Sequence, residues 1–296
     1  MSKSKVLLQL DVDELPSSFD ALVAIDSGAE QLLQYGGVSA ETIVGLIHGA
    51  IFTRGPADLK NSAIFIGGSD AHQVSKLFAQ ARDAFFGPLR VSMMCDPNGA
   101  NTTATAAVLC VEQHIELSQA SVVVLGGSGP VGARVAKIAA GRGAIVRVCS
   151  RQLSRAEAII EQIVKDLPNG RLEPYEFVAP ADIPRICAGH DVLVTAGAAS
   201  VSLTNPDWME HVPGIRIAID LNAVPPNGLH GVESRDSNEV RAGIICYGAI
   251  GVGGLKMKIH KACLKYLFET NDRILDTQSI YELGRFVVTQ VHAPTI

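Results

Sequence analysis

A β-branched run, Val122-Val123-Val124-Leu125, breaks into glycine and then opens an alanine-rich stretch, and no other segment restricts the fold of this chain as tightly. The break reads G-x-G-x-x-G: Gly127, Ser128, Gly129, Pro130, Val131, Gly132. A strand before the motif and a helix after it give the glycines separate tasks. Gly127 permits the tight turn, Gly129 removes the Cβ that would keep a pyrophosphate off the backbone, and Gly132 lets the new helix pack closely on the sheet. An anion would sit where Ser128, Pro130 and Val131 lead into the helix, because the first N–H groups are unpaired and the dipole end is positive. The alternative is an ordinary strand-to-helix turn.

The next strand, Ala144–Arg151, ends about twenty residues beyond the motif, where an NAD site usually carries Asp or Glu for the ribose 2′-hydroxyl. Ser150 and Arg151 stand there instead. A hydroxyl and a guanidinium suit a 2′-phosphate, since Arg pairs with phosphate oxygens through parallel charge-assisted bonds. The cofactor is therefore read as NADP, with a solvated surface Arg151 as the alternative.

Composition narrows the remaining classes. With 296 residues, 47% hydrophobic, the chain has material for about two domains. A formal net charge of −5 without basic clusters argues against a nucleic-acid groove or a polybasic membrane surface. The basic start Met1–Lys5 leads into an apolar run that Gln9 interrupts and Asp11 ends, so it reads as a first strand rather than a signal peptide. Six scattered cysteines without C-x-x-C pairs, and eight histidines without ligand spacing, imply a reducing cytoplasmic setting and no metal. Gly126-Gly127-Ser128-Gly129-Pro130 fails the G-x-S-x-G elbow at its last position, and no H-E-x-x-H or P-loop occurs.

Apolar runs at Lys5–Leu10, Ala21–Ile25, Ala63–Ile66 and Val91–Met94 read as strands alternating with helices at Ala40–Ile51 and Ala71–Phe85. Beyond the turn-forming Asp96-Pro97-Asn98-Gly99, a helix at Asn101–Ile115 leads into the dinucleotide fold. That fold continues with strands at 122–125, 145–148, 192–195, 215–220 and 244–247, a helix at Gln152–Leu167 and an edge-like run within Pro168–Pro180. Helices at Gly254–Phe268 and Asp276–Val291 close the chain. The expected fold is α/β with two domains joined by long helices: a smaller parallel N-terminal substrate domain (1–105 with 265–296) and a Rossmann domain (106–264).

Ligands in such sheets bind beyond the carboxyl ends of the strands. Asp96–Thr103, Thr195–Ala199, Asp220–Pro226 and Gly248–Lys258 fall there and would line one cleft. Ala196, Gly197 and Gly253 would let backbone approach the cofactor, and Asn222 could donate to the nicotinamide amide or ribose. On a helix after Gly248–Gly254, Lys256 and His260 are four residues apart and share a face. They either meet a heteroaromatic substrate or are a surface lysine and a packed histidine.

Phe86-Gly87-Pro88, Asp96–Thr103, Gly127–Gly132 and Tyr247–His260 closely resemble the bacterial NADP-dependent methylene-tetrahydromethanopterin dehydrogenases, over about Val6–Leu283. The resemblance implies NADP-dependent oxidation of the methylene pterin to its methenyl form in one-carbon metabolism, with methylene-tetrahydrofolate as a further substrate. It also implies a pterin cleft between domains and a homotrimer or higher oligomer. Matched by motif, the pterin-site residues fall on Phe19 beside Asp20, on Thr102 or Thr103, on Lys256 and on His260. Related folate enzymes with cyclohydrolase activity carry Tyr-x-x-x-Lys in the first domain, and no such pair occurs in this N-terminal region. The competing readings are a folate-specific dehydrogenase and a non-catalytic dinucleotide sensor.

Overall fold

A computed structural model describes residues 3–291. The chain forms two compact units: one runs up to Thr102 and resumes at Met257, the other spans Thr103–Lys256. The expected boundaries at 105 and 264 thus move to 102 and 256, inside two helices.

The first unit begins β1 (Val6–Asp11), α1 (Ser18–Asp26), β2 (Gln31–Tyr35), α2 (Ile43–Ile51), β3 (Ser62–Gly67), α3 (Ala71–Asp83), β4 (Ser92–Cys95), and α4 (Ala100–Glu112) then carries the chain into the second. The first unit's sheet is parallel, its core built on Leu8, Leu10, Ile64, Ile66 and Met93 against Ile47, Ile51, Val74 and Leu77 of α2 and α3. Such a sheet is buried on its faces, which explains the unbroken apolar runs of β3 and β4.

Residues 21–25, expected as a strand, lie inside α1. Five apolar residues are too few to separate the two periods. The Ser17 hydroxyl, accepting from the Asp20 N–H at 3.2 Å, caps a helix that buries Val23 and Ala24 and leaves Leu22 and Ile25 exposed. Strand β2 escaped notice because it is a mostly exposed edge strand flanked by glutamines.

The second unit continues β5 (Ser121–Leu125), α5 (Pro130–Gly141), β6 (Ile145–Ser150), α6 (Leu153–Asp166), β7 (Arg171–Glu176), α7 (Ile183–Cys187), β8 (Val192–Thr195), β9 (Ile217–Asp220), β10 (Ser237–Arg241), β11 (Ile244–Tyr247) and α8 (Ala249–Tyr266). Its strand order is β10-β11-β9-β8-β5-β6-β7, so the direction of winding reverses between β5 and β8. Only β10 is antiparallel. Pro174 lies in edge strand β7, where a missing N–H does not break a central ladder. Back in the first unit, β12 (Ile274–Leu275) completes the sheet order β12-β4-β3-β1-β2, and α9 (Thr277–Val291) follows.

Helix α8 starts five residues before the expected Gly254. The Asp236 carbonyl accepts from the Gly248 N–H and the Ser234 carbonyl accepts from the Ile250 N–H, so the chain around 233–237 holds the helix entry. A Cβ on Gly251 would stand 1.9 Å from the Asp236 carbonyl oxygen and one on Gly248 2.0 Å from that of Glu233. These glycines belong to the helix and its entry and serve packing. The supporting segment is fixed by Asp236, nearly buried, whose carboxylate takes both Arg241 Nε and Nη2 at 2.7 Å. Burial opposes its ionisation, but the Arg241 fork and the Glu233 N–H outweigh burial and hold its pKa below the usual carboxylate range. A depressed folded-state pKa means this stability is present above the unfolded value and lost as pH falls through the folded one. Asp236→Asn is expected to lower unfolding free energy by about 1.5–3 kcal/mol at neutral pH. In urea denaturation the gap between variant and parent should shrink as pH falls below about 4.

Candidate active site

In the second unit, the turn after β5 builds a pocket from backbone. Gly126, with φ +73°, makes the left-handed step. Its missing Cβ would stand 2.6 Å from the Ala196 carbonyl oxygen, so β5 and the loop after β8 meet at backbone contact. This corrects the role expected of Gly127, which donates its N–H to Cys149 O at 2.9 Å and makes room for Val148, whose Cγ1 would be 2.7 Å from a Cβ. Gly132 would place a Cβ 2.4 Å from the Gly126 carbonyl oxygen, and its absence lets α5 close on the turn.

The resulting cavity, about 800 Å³, is lined by Gly126, Ser128 and Gly129, by Ser150, Arg151 and Arg155, and by Ala196–Ala198 among others. The Ser128 hydroxyl donates to that of Ser150 at 3.0 Å, joining the glycine turn to the end of β6. Arg155, which sequence reasoning missed, stands in the first turn of α6. Its signal was the four-residue spacing from Arg151, obscured because Arg151 precedes the helix. Both arginines are exposed, neither has a carboxylate partner among the described residues, and no acidic residue lines the cavity. Pro130, Val131 and Gly132 begin α5 and do not line the cavity. Asn222 and Gly253 do not line it either. The Asn222 amide is turned into its surroundings, donating to Ala198 O and Pro226 O at 3.4 Å each and accepting from the Val224 N–H at 3.3 Å. It ties the loops after β8 and β9 together. Gly253 lies inside α8 with nothing within 4 Å of a would-be Cβ.

In the first unit, Asp96 organises the turn before α4. Asn98 and Gly99 take left-handed φ values of 47° and 69°, bringing the chain back so that the carboxylate accepts from the Asn101 N–H at 2.8 Å and the Thr102 hydroxyl at 2.6 Å. Thr102 is 0% exposed and its hydroxyl is committed to Asp96. It holds the Asp96 carboxylate from the first turn of α4, whereas Thr103 beside it is half-buried.

Phe19 is 47% exposed, whereas Asp20 beside it is buried. His260 is 0% exposed, stacked on Phe65 at 5.8 Å between ring centroids and tilted against Phe19 at 6.3 Å. Its Nε2 is 4.0 Å from Asp20 Oδ1. The histidine expected at the pterin site is instead packed beneath Phe19. Lys256, one turn earlier on α8, is half-buried.

All six cysteines are buried. Burial pushes the thiols of Cys110 and Cys187 up to about 12, which keeps them protonated and poorly nucleophilic. No cluster of three or more metal-ligating side chains occurs among the described residues.

The glycine turn at a point of winding reversal and the cavity above it define a dinucleotide-fold protein of the Rossmann type. The same architecture extends over both units: shikimate 5-dehydrogenase from Listeria monocytogenes superposes with a TM-score of 0.56 over 95% of this chain and 96% of that one, at 12% identity. Within that class the chain belongs to the methylene-tetrahydromethanopterin dehydrogenase family and is an oxidoreductase. It is 37% identical to the bifunctional protein MdtA of Methylorubrum extorquens, over 96% of this chain and 99% of that protein. It is 29% identical to the NAD(P)-dependent methylenetetrahydromethanopterin dehydrogenase of the same organism, over 90% and 93%. Residues 18–98 match the family's N-terminal domain.

Two glycine substitutions should move stability in opposite directions. Gly132→Ala must displace backbone and is expected to cost about 1–3 kcal/mol in chemical denaturation. Gly253→Ala meets open space in a helix and should add about 0.5–1 kcal/mol.

Proposed function

We propose that this protein oxidises methylene-tetrahydromethanopterin to the methenyl compound with NADP, and accepts methylene-tetrahydrofolate as a further substrate. The observation that carries the cofactor choice is the exposed Arg151 and Arg155 on a cavity free of carboxylates, beside the Ser150 hydroxyl. NADP fits these residues: the glycine turn leaves backbone open where a pyrophosphate lies, and the two guanidinium groups offer paired donors to a 2′-phosphate. The substrate follows from the family of the chain and its named relatives.

When bound, NADP supplies the hydride acceptor. The methylene carbon bridges two nitrogens, so losing hydride leaves an amidinium-like cation stabilised by the substrate itself, and no side chain has to remove a proton. The work of this chain is alignment and exclusion of water. In the first unit Phe19 offers an aromatic face to the pterin or its aryl ring, and His260 supports Phe19 and Asp20 from below; Thr103 and Lys256 are assigned to pterin binding by their match to the family's motifs alone. Lys256 carries a charge of the same sign as the cationic product and is therefore assigned to binding rather than proton transfer. The resemblance to the family extends the reading to a homotrimer or higher homo-oligomer.

The decisive assay follows NADPH absorbance with both methylene carriers and both nicotinamide cofactors. Arg151→Ala and Arg155→Ala should each weaken NADP by about 1.5–3 kcal/mol, tenfold or more in KM, with little change for NAD. Equal losses for both cofactors would contradict the phosphate assignment. Lys256→Ala should depress turnover or pterin affinity while sparing NADP affinity. The enzyme should leave methenyl decay at its spontaneous rate, because hydrolysis needs an activated water and the N-terminal Tyr-x-x-x-Lys pair is absent.

A further inference from the structure

Gln9 lies in the middle of β1 and is 1% exposed, an amide in a row otherwise suited to apolar side chains. It stands in register between Gln34 of β2 and Phe65 of β3, the ring on which His260 stacks. Its Nε2 donates to the Ser17 carbonyl at 3.0 Å, and its Oε1 accepts from Gln34 Nε2 at 3.0 Å. Two residues on and on the same face, Asp11 accepts the Ser17 N–H on Oδ2 at 3.1 Å and the Asp13 N–H on Oδ1 at 3.0 Å. Both backbone groups of one residue are thus held by side chains of one strand. That residue is the N-cap of α1, the helix that presents Phe19 and Asp20 in its first turn.

We infer that Gln9 is a positioning residue for the substrate: with Asp11 it clamps Ser17, and so fixes where Phe19 and Asp20 stand relative to the Phe65–His260 stack. A buried amide in a central strand is costly unless bonded, and leucine or valine would fill the place more stably. What the amide supplies is a fixed direction for the chain entering α1. Gly67 fits the same arrangement, since a Cβ there would stand 2.9 Å from the Phe65 ring and 3.7 Å from Asp11 Oδ2. This role rests on the pterin reading proposed above.

The test uses Gln9→Met, which keeps volume and loses both bonds, Gln9→Glu, which still accepts from Gln34 but cannot donate to Ser17, and Gln34→Met, which leaves the Ser17 bond in place. Both Gln9 variants are expected to raise KM for the methylene pterin about tenfold with a smaller change in kcat and NADP KM within about twofold of the parent. Amide hydrogen exchange of the peptide holding Phe19 and Asp20 should accelerate in the ligand-free protein. Gln34→Met should stay within about twofold of the parent in all three readouts. The inference is overturned if the Gln9 variants keep the parental pterin KM, if NADP KM rises alongside, if Gln34→Met matches them, or if neither Gln9 variant folds, which would make the amide a residue of stability. Should the parent fail to turn over the methylene pterin, the functional reading fails, while hydrogen exchange at Phe19 and Asp20 still judges the clamp.

Discussion

The close approach of backbone to backbone after β5 is the constraint on which the second unit depends. Gly126 touches the loop after β8 through the Ala196 carbonyl, and α5 touches Gly126 through Gly132. Any side chain at these positions would drive the two halves of the sheet's ligand end apart. With glycine there, the cavity has a floor of peptide groups, and the charge and shape that select a ligand come from its rim: Ser128 and Ser150 on one side, Arg151 and Arg155 at the end of β6 and the start of α6. The division suits an anion held by backbone N–H groups and a selective phosphate held by side chains.

The first unit solves a similar problem by other means. Its entering helices are held by carboxylates and an amide. Asp96 collects the N–H of Asn101 and the hydroxyl of Thr102. Asp11 and Gln9 hold the two backbone groups of Ser17. All three side chains are almost fully buried and hydrogen-bonded: Asp96 and Asp11 accept N–H groups at a helix entry, and Gln9 donates to the Ser17 carbonyl, which also accepts the Ala21 N–H. Bonded in this way, buried polar groups avoid the penalty of an unpaired donor or acceptor. Asp96 in particular keeps the Thr102 hydroxyl inside.

Fold and function separate cleanly here. The architecture is shared with shikimate 5-dehydrogenase at 12% identity, so the layout of strands says little about chemistry.

The alternation of apolar strands with helices, the glycine turn and the basic residue after β6 were legible in the sequence, because each is enforced locally by periodicity, by backbone freedom or by charge. Residues 21–25 were not, since a five-residue apolar run fits either period and only the Ser17 cap and the face buried against the sheet decide it. The start of α8 was hidden for a related reason: its early glycines resemble a loop until the carbonyls of Ser234 and Asp236 are seen holding them. At the site, Arg151 was found and Arg155 was not, and Gly126 had to take the turn from Gly127. Spacing could place Lys256 and His260 on one face of a helix, but not say that the histidine is sealed against Phe65. A sequence determines which side chains share a strand or helix face. Which of them meet water, a ligand or one another depends on what distant segments stack on that face, and only the tertiary structure decides it.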